Sequence, residues 1–196
     1  LEAQHVPSYH YNDTYIHDAA ETFSDRQFAK VVFWKNAVVY DVVLLGVDVL
    51  FQDVDLVWHA NPLPYFQDPR RHHVDMFFMK DGNSPHQQPL YVNSGFIFNR
   101  NTARTRAFWY EAFLNGHTAN TQQGILKPLL VHHYFTNNLR LFVLHDTFAN
   151  GHLWSPKGAG KMLTTNWTVA HASWTKNVTF KIQKMKQLGE WYEGCV

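Results

Sequence analysis

The chain has very little cysteine and no run of charge of one sign, and each absence narrows the possible functions. The single cysteine, Cys195, lies next to the last of 196 residues, so the chain cannot form an internal disulfide and cysteine says little about redox compartment. The 17 basic residues nearly balance the 16 acidic ones, and they form no cluster. Nucleic acid and anionic membrane surfaces are therefore not predicted partners.

Long hydrophobic runs are also missing. The apolar stretches are far shorter than the roughly 18 residues of a membrane span, and no signal peptide is recognisable. The sequence opens on Leu1 rather than Met, so we expect any targeting segment or membrane anchor to lie upstream of these residues. Membrane association is expected only through such an anchor.

Three triplets match the pattern for N-glycosylation. They are Asn12-Asp13-Thr14, Asn166-Trp167-Thr168 and Asn177-Val178-Thr179. One such triplet arises easily by chance, but three in so short a chain favour a protein of the secretory-pathway lumen.

Apolar residues are abundant and follow regular periods. Hydrophobic residues make up 45% of the chain and aromatic residues 16%, enough for one domain with a sizeable core. Helical spacing predicts helices over 25–45, 102–113, 122–133 and 180–191. Pro128 is predicted to kink or end the third of these helices, and the run Asn61-Pro62-Leu63-Pro64 to break regular structure.

Short hydrophobic strands are predicted between these helices, at 47–51, 74–79, 91–98, 139–144 and 168–171. The alternation of strands and helices predicts an α/β domain over residues 26–196, with a mostly parallel sheet flanked by helices. Residues 1–25 are polar and show no period, so they are predicted to be a leading segment or loop, and 155–161 a further loop.

The acidic triplet Asp53-Val54-Asp55 is the pattern most indicative of chemistry. It directly follows an apolar strand, and open α/β sheets bind their ligands at the carboxyl ends of strands. Two carboxylates one residue apart can converge on Mg²⁺ or Mn²⁺, which complete their shells with water and phosphate oxygens. Such a cation stabilises a diphosphate leaving group. A solvated turn is the alternative, because a bare Asp-x-Asp is common.

The residues around and after this triplet resemble the nucleotide-diphospho-sugar transferases of glycosyltransferase family 77. The resemblance spans residues 26–192 and rests, in order, on 45–58, Asn61-Pro62, Tyr65-Phe66, Asn93-Ser94-Gly95-Phe96, Phe148-Ala149-Asn150-Gly151, His171 and Lys181. It implies a Rossmann-like GT-A fold, in which the Asp-x-Asp motif holds a divalent metal and the nucleotide diphosphate. That fold normally begins with a strand–helix unit for the nucleotide base. Nothing before Asp25 resembles it, so we expect the chain to lack this unit.

The resemblance also implies which side chains hold the metal and the diphosphate. It assigns Mn²⁺ or Mg²⁺ to Asp53, Asp55 and His171, although a lone histidine at a strand end is more often structural. Lys176 and Lys181 lie where an ammonium could reach the diphosphate of a UDP-sugar, and solvated helix lysines are the alternative.

Other residues are implied around the sugar. Asn93 and Ser94 could bond sugar hydroxyls and Gly95 could let backbone approach a ligand, or the three could form an ordinary turn into a strand. Gln122 stands where related families carry an acid; an amide cannot be an anionic nucleophile, but it can orient or stabilise a developing cation. Asp146 is a second predicted catalytic group, and capping explains it equally well.

Aromatic side chains could also stack against a sugar or base, although most of them are expected in the core. The candidates are Trp58, Tyr65, Phe66, Trp154 and Trp174.

The leading hypothesis is a metal-dependent hexosyl- or pentosyltransferase. It moves a sugar from UDP to a hydroxyl of a glycan or glycoprotein, with retention, in the Golgi or secretory-pathway lumen as the luminal part of a type II membrane protein. A front-face mechanism, in which the leaving phosphate helps to deprotonate the acceptor, is compatible with Gln122. The alternatives are a non-catalytic domain that binds nucleotide-sugar or glycan, and a metal-dependent phosphoesterase.

Overall fold

The computed structural model describes residues 26–82, 90–145, 147–152, 167–175, 177–187 and 189–191. The predicted leading segment and the predicted loop at 155–161 lie outside these ranges. The described helices are α1 (Arg26–Leu44), α2 (Leu63–Gln67), α3 (Ala103–Leu114), α4 (Gln122–Thr136) and α5 (Val178–Gln187). The described strands are β1 (Val49–Gln52), β2 (Leu56–Trp58), β3 (Met76–Lys80), β4 (Val92–Asn99), β5 (Leu141–Val143), β6 (Phe148–Ala149) and β7 (Val169–His171).

The strands form two mixed sheets. In the larger one, with order β1-β4-β3-β5, β4 is antiparallel to both neighbours and β5 is parallel to β3. In the smaller one, with order β2-β7-β6, β7 is antiparallel to β2 and parallel to β6. The α/β class is confirmed, but the expectation of a mostly parallel sheet is corrected. The apolar run at 45–58 does not continue as one strand: it breaks after Gln52, and β2 pairs in the other sheet.

The central strands β3 and β4 are largely apolar because helices and aromatic side chains cover both of their faces. Successive side chains of a strand point to opposite faces. Met76 and Phe78 of β3 therefore pack in one cluster, with residues of α1, α3 and α4, while Phe77 packs in the other. The second cluster is rich in phenylalanine, and the rings of Phe66 and Phe98 stack there at 4.4 Å. A strand buried on both faces has no reason to alternate with polar residues.

Two prolines do not end regular structure as predicted. Pro64 lies in the first turn of α2, where a missing N–H costs nothing, so the segment predicted as a break is the start of a short helix. Pro128 lies inside α4, which continues to Thr136, so the alternative that Pro128 ends the helix is wrong. Within the described ranges, no helix combines the length and the apolar character needed to cross a bilayer.

Candidate metal centre

Asp53 and Asp55 lie at the junction between the two sheets. β1 ends at Gln52, and the Asp53 N–H then donates to the carbonyl of Gly95 on β4 at 2.9 Å. The carbonyl of Asp55 accepts from the N–H of Ala172, just after β7, at 2.9 Å. Each acid is therefore tied by its backbone to a different sheet, at the carboxyl end of β1 where the sequence pattern predicts a ligand site.

His171 reaches both acids because of strand register. The antiparallel pairing of β2 with β7 sets His171 opposite Leu56, the residue after Asp55. The His171 Nε2 is 3.3 Å from Asp55 Oδ1 and 4.0 Å from Asp53 Oδ2, and the ring is buried. One ligand atom from each of the three side chains lies within 4.8 Å of the other two. Two carboxylate oxygens and one imidazole nitrogen are a donor set that fits Mn²⁺ or Mg²⁺.

Gly95 makes room for this cluster. A β-carbon at this position would overlap the imidazole of His171 and would lie 2.9 Å from Asp53 Oδ2. β4 bulges here, since its pairing with β3 shifts between Phe78 and Met79. A bulge of this kind redirects a strand beside a functional site. The glycine is therefore required by the close approach of two protein side chains, and its predicted approach to a ligand stays a prediction.

Two lysines form ion pairs with the two carboxylates. Lys35 Nζ lies 2.5 Å from Asp53 Oδ1, and Lys181 Nζ lies 2.6 Å from Asp55 Oδ2. Burial alone would raise the pKa of Asp55, but hydrogen bonds and charge from His171 and Lys181 outweigh it and hold that pKa well below its usual range. Asp55 is therefore ionised at neutral pH, as a metal ligand must be.

Lys35 is a site residue that the sequence interpretation missed. It lies on α1 in register with the buried residues Val32 and Val39. The sequence did contain a signal for Lys35, namely one charged residue on the apolar side of a helix. When that side is buried by packing, the charged group needs a partner of opposite charge. The partner, Asp53, could not be known before the helix was docked against β1.

A cavity of about 220 Å³ opens beside Asp53, Asp55 and His171. Many of the predicted site residues line it: Asp53, Asp55, Asn93, Ser94, Gly95, Gln122, His171 and Lys181. Lys35 also lines it. Asp146 and Lys176 lie outside the described residues, so their predicted roles stay predictions.

The amides in the cavity are held by the protein. Asn93 Oδ1 accepts from the N–H of Gly95 at 2.8 Å, an interaction that shapes the bulge of β4. Gln122 is buried and donates from Nε2 to Asn36 Oδ1 at 3.0 Å. Its Oε1 has no hydrogen-bond partner within the described part of the chain. The buried oxygen therefore lacks the hydrogen bond that a buried acceptor normally receives. Asn93 also lines the cavity, and its predicted contact with a sugar stays a prediction.

A solved structure shares this fold. It is a glycosyltransferase involved in the glycosylation of the major capsid of PBCV-1, with a TM-score of 0.54 and 12% sequence identity. The match covers 88% of this chain and 81% of that one. It confirms the expected GT-A-like architecture.

Curated relatives with similar sequences match parts of the chain. The beta-arabinofuranosyltransferase RAY1 of Arabidopsis thaliana is 33% identical over 89 residues, which are 43% of this chain and 16% of the relative. A UDP-galactose:fucoside alpha-3-galactosyltransferase of Dictyostelium discoideum is 29% identical over 106 residues, 49% of this chain and 15% of the relative.

An uncharacterised Arabidopsis thaliana protein is 28% identical over 129 residues, 64% of this chain and 37% of the relative. The chain therefore spans well under half the length of each of these relatives. A model of the family described as nucleotide-diphospho-sugar transferase matches residues 1–185, nearly the whole chain. The chain belongs to the nucleotide-diphospho-sugar transferase family.

Proposed function

We propose that this chain carries the catalytic site of a glycosyltransferase that uses Mn²⁺ or Mg²⁺ and a UDP-sugar. The observation that carries the proposal is the convergence of Asp53, Asp55 and His171 beside a cavity that also holds Lys35 and Lys181. The acceptor is a hydroxyl of a glycan or glycoprotein. UDP as the nucleotide is supported by the name of the Dictyostelium relative, a UDP-galactose-dependent enzyme.

In this proposal the charged residues act on the diphosphate. Asp53, Asp55 and His171 would hold the divalent cation, which supplies electrostatic stabilisation to the leaving diphosphate. Lys35 and Lys181 have long flexible side chains that line the same cavity, so their ammonium groups can contact phosphate oxygens. Until a ligand arrives, the two ammonium groups balance the charge of the two carboxylates.

Gln122 orients the reacting sugar. Its side chain is fixed by Asn36 while its Oε1 stays without a partner among the described residues, so the oxygen can accept a bond from a sugar hydroxyl. An amide cannot form a covalent glycosyl intermediate. We therefore propose a front-face reaction with retention, in which the departing phosphate takes the proton of the acceptor hydroxyl. The transferred sugar is a hexose or a pentose.

The test is metal-dependent binding and turnover by the full chain. UDP binding is measured by calorimetry with Mn²⁺, with Mg²⁺ and with EDTA. UDP release is then measured from a donor panel of UDP-galactose, UDP-glucose and UDP-arabinofuranose, the first and last chosen from the relatives' names. We expect UDP to bind with either ion and to dissociate in EDTA, and one donor of the panel to turn over.

The outcomes separate a catalytic domain from a non-catalytic domain of the same fold. Equal UDP binding in EDTA and in Mn²⁺ would contradict the metal site. Metal-dependent UDP binding without UDP release from any donor would instead favour a non-catalytic domain that binds nucleotide-sugar. Gln122 is compatible with that alternative, because related families carry an acid at this position. A matched control is Asp41→Asn, which changes an exposed acid on α1 outside the residues that line the cavity.

We also propose that the chain works in the Golgi or secretory-pathway lumen. The sequon Asn177-Val178-Thr179 lies within the described residues. It supports a luminal location because Asn177 is exposed just before α5. Asn12 and Asn166 lie outside the described residues. When the chain is expressed in animal cells behind a secretory signal peptide, treatment with an N-glycosidase should shift its electrophoretic mobility. Asn177→Gln should remove one step of that shift, and no shift in either protein would contradict the proposal.

A further inference from the structure

The cavity is lined by two chemically different sets of side chains. Asp53, Asp55, His171 and the two lysines form a charged set. The amides of Asn93, Gln122 and Gln123 and the indole of Trp174 form an uncharged set, and we call the part of the cavity that this set lines the uncharged end. A nucleotide-sugar is divided in the same way, since its diphosphate is charged and the sugar beside it is not.

Trp174 is held in an uncommon backbone conformation. Its φ is +60°, a left-handed value that non-glycine residues seldom adopt, and it follows β7 three residues after His171. The ring lines the cavity and the residue remains 46% exposed. Surrounding contacts must hold such a conformation in place, and residues of this kind cluster at ligand sites.

Asp81 is one of those contacts. Its buried carboxylate accepts from the indole Nε1 of Trp174 at 2.8 Å. The same carboxylate accepts from Gln123 at 3.0 Å and from Asn93 at 3.3 Å. One buried acid therefore fixes three side chains that line the uncharged end of the cavity.

The benzene edge of the same indole is also fixed. A β-carbon on Gly82 would lie 3.0 Å from Trp174 Cζ2, and the ring of His152 meets the indole edge-on at 5.0 Å. The ring is thus held at both its pyrrole and its benzene ends while much of its surface stays open. A fixed, half-exposed aromatic ring beside hydrogen-bonding amides is a common design for binding a molecule with an apolar face and a polar edge.

We propose that Trp174 is the stacking wall of the donor-sugar subsite, held in place by Asp81. This inference rests on the proposed function, because it assigns the uncharged end of the cavity to the sugar of the nucleotide-sugar. The sugar ring lies with its C–H face on the indole, and its hydroxyls face the amides of Gln122 and Gln123.

The test compares UDP with UDP-sugars on the full chain in Mn²⁺. Trp174→Ala is titrated by calorimetry with UDP and with each donor of the panel, and Trp174→Phe keeps a stacking ring but cannot donate to Asp81. We expect Trp174→Ala to weaken donor binding by roughly three- to tenfold and to leave UDP binding unchanged. Trp174→Phe should give a smaller loss, again confined to the donors.

Trp58→Ala is a matched control. Trp58 is 43% exposed and also donates from its indole nitrogen to a side chain, Gln52 Oε1 at 2.7 Å. It is not among the residues that line the cavity. The control should bind UDP and the donors as the unchanged protein does, and circular dichroism should show each variant folded.

The outcomes distinguish this inference from the proposed function. Failure of the unchanged protein to bind UDP or any donor would overturn both. Normal UDP binding, with donor binding unaffected by Trp174→Ala, would overturn the inference alone. An equal loss for UDP and for the donors would also overturn it, because Trp174 would then belong to the nucleoside end of the ligand.

Discussion

Two acidic residues that directly precede strands, Asp75 before β3 and Asp55 before β2, are bound by the protein in opposite ways. Asp75 precedes β3 and is buried. Arg104 donates to its two oxygens at 2.8 Å each, and the N–H of Arg140 and the hydroxyl of Thr102 complete the set. Asp55 lines the cavity, and among the described residues its side-chain partners are His171 and Lys181.

The difference shows how a binding carboxylate can be told from a structural one. A planar guanidinium, a backbone N–H and a short hydroxyl are fixed donors, and they leave Asp75 little capacity for another ligand. An ammonium on a flexible stem is a partner that a cation can displace. The partners, and not the burial of the acid alone, indicate that Asp55 is available to metal while Asp75 ties α3 to the sheet.

The largest expected effect is the loss of activity in Asp55→Asn. The change keeps the size of the side chain but removes a charged metal ligand, so metal-dependent UDP release should fall on the order of a thousandfold. The free energy of unfolding should change less than in Asp75→Ala. Turnover assays with Mn²⁺ and urea unfolding measure the two quantities. Unchanged turnover would remove Asp55 from the proposed metal site.

Asp75→Ala should produce the opposite pattern, a loss of stability. Removing the acid leaves the guanidinium of Arg104 and the N–H of Arg140 without their partner, which should lower the free energy of unfolding by about 3 kcal/mol. Urea unfolding measures this, with Asp41→Ala on the exposed side of α1 as control. If Asp75→Ala is as stable as the control, the contrast between the two acids fails.

Gly95→Ala should weaken the metal site without touching any charge. The added methyl group would displace His171 and crowd Asp53, so Mn²⁺ affinity should fall by about 10- to 100-fold, as happens when groups that orient metal ligands are lost. Calorimetric titration with Mn²⁺ measures this. Affinity equal to that of the unchanged protein would mean that the His171 ring is not required near Asp53.

The smallest effect concerns pH. Burial would raise the pKa of Asp75, but the hydrogen bonds and charge of Arg104 and the N–H of Arg140 lower it below the value in the unfolded chain. Asp75 therefore contributes stability above about pH 4, and this contribution is lost as the pH falls below that value through the folded-state pKa. Between about pH 6 and about pH 3, the unchanged protein should lose more free energy of unfolding than Asp75→Asn does. Equal losses would show that Asp75 is not the acid-sensitive group.

Sequence patterns predicted most of the elements that position the site. The helix that became α1, the strand before Asp53 and the strand ending at His171 are all confirmed. Each depends on local physics, namely hydrophobic period and the polar residues that follow a strand. The direction of strand pairing was predicted wrongly, and the start of α2 was not predicted. Apolar runs look alike in parallel and antiparallel sheets, and a proline signals both a break and a first helical turn.

By itself, the sequence determined that two carboxylates follow an apolar strand and that the chain resembles nucleotide-sugar transferases. Only the tertiary structure decided which groups face them. His171 meets Asp55 because β7 pairs with β2 in one register, and Lys35 meets Asp53 because α1 docks beside β1. Trp174 is fixed beside the same cavity because its indole reaches Asp81, 93 residues earlier in the chain. Contacts of such long separation depend on packing between elements, which local periodicity does not encode.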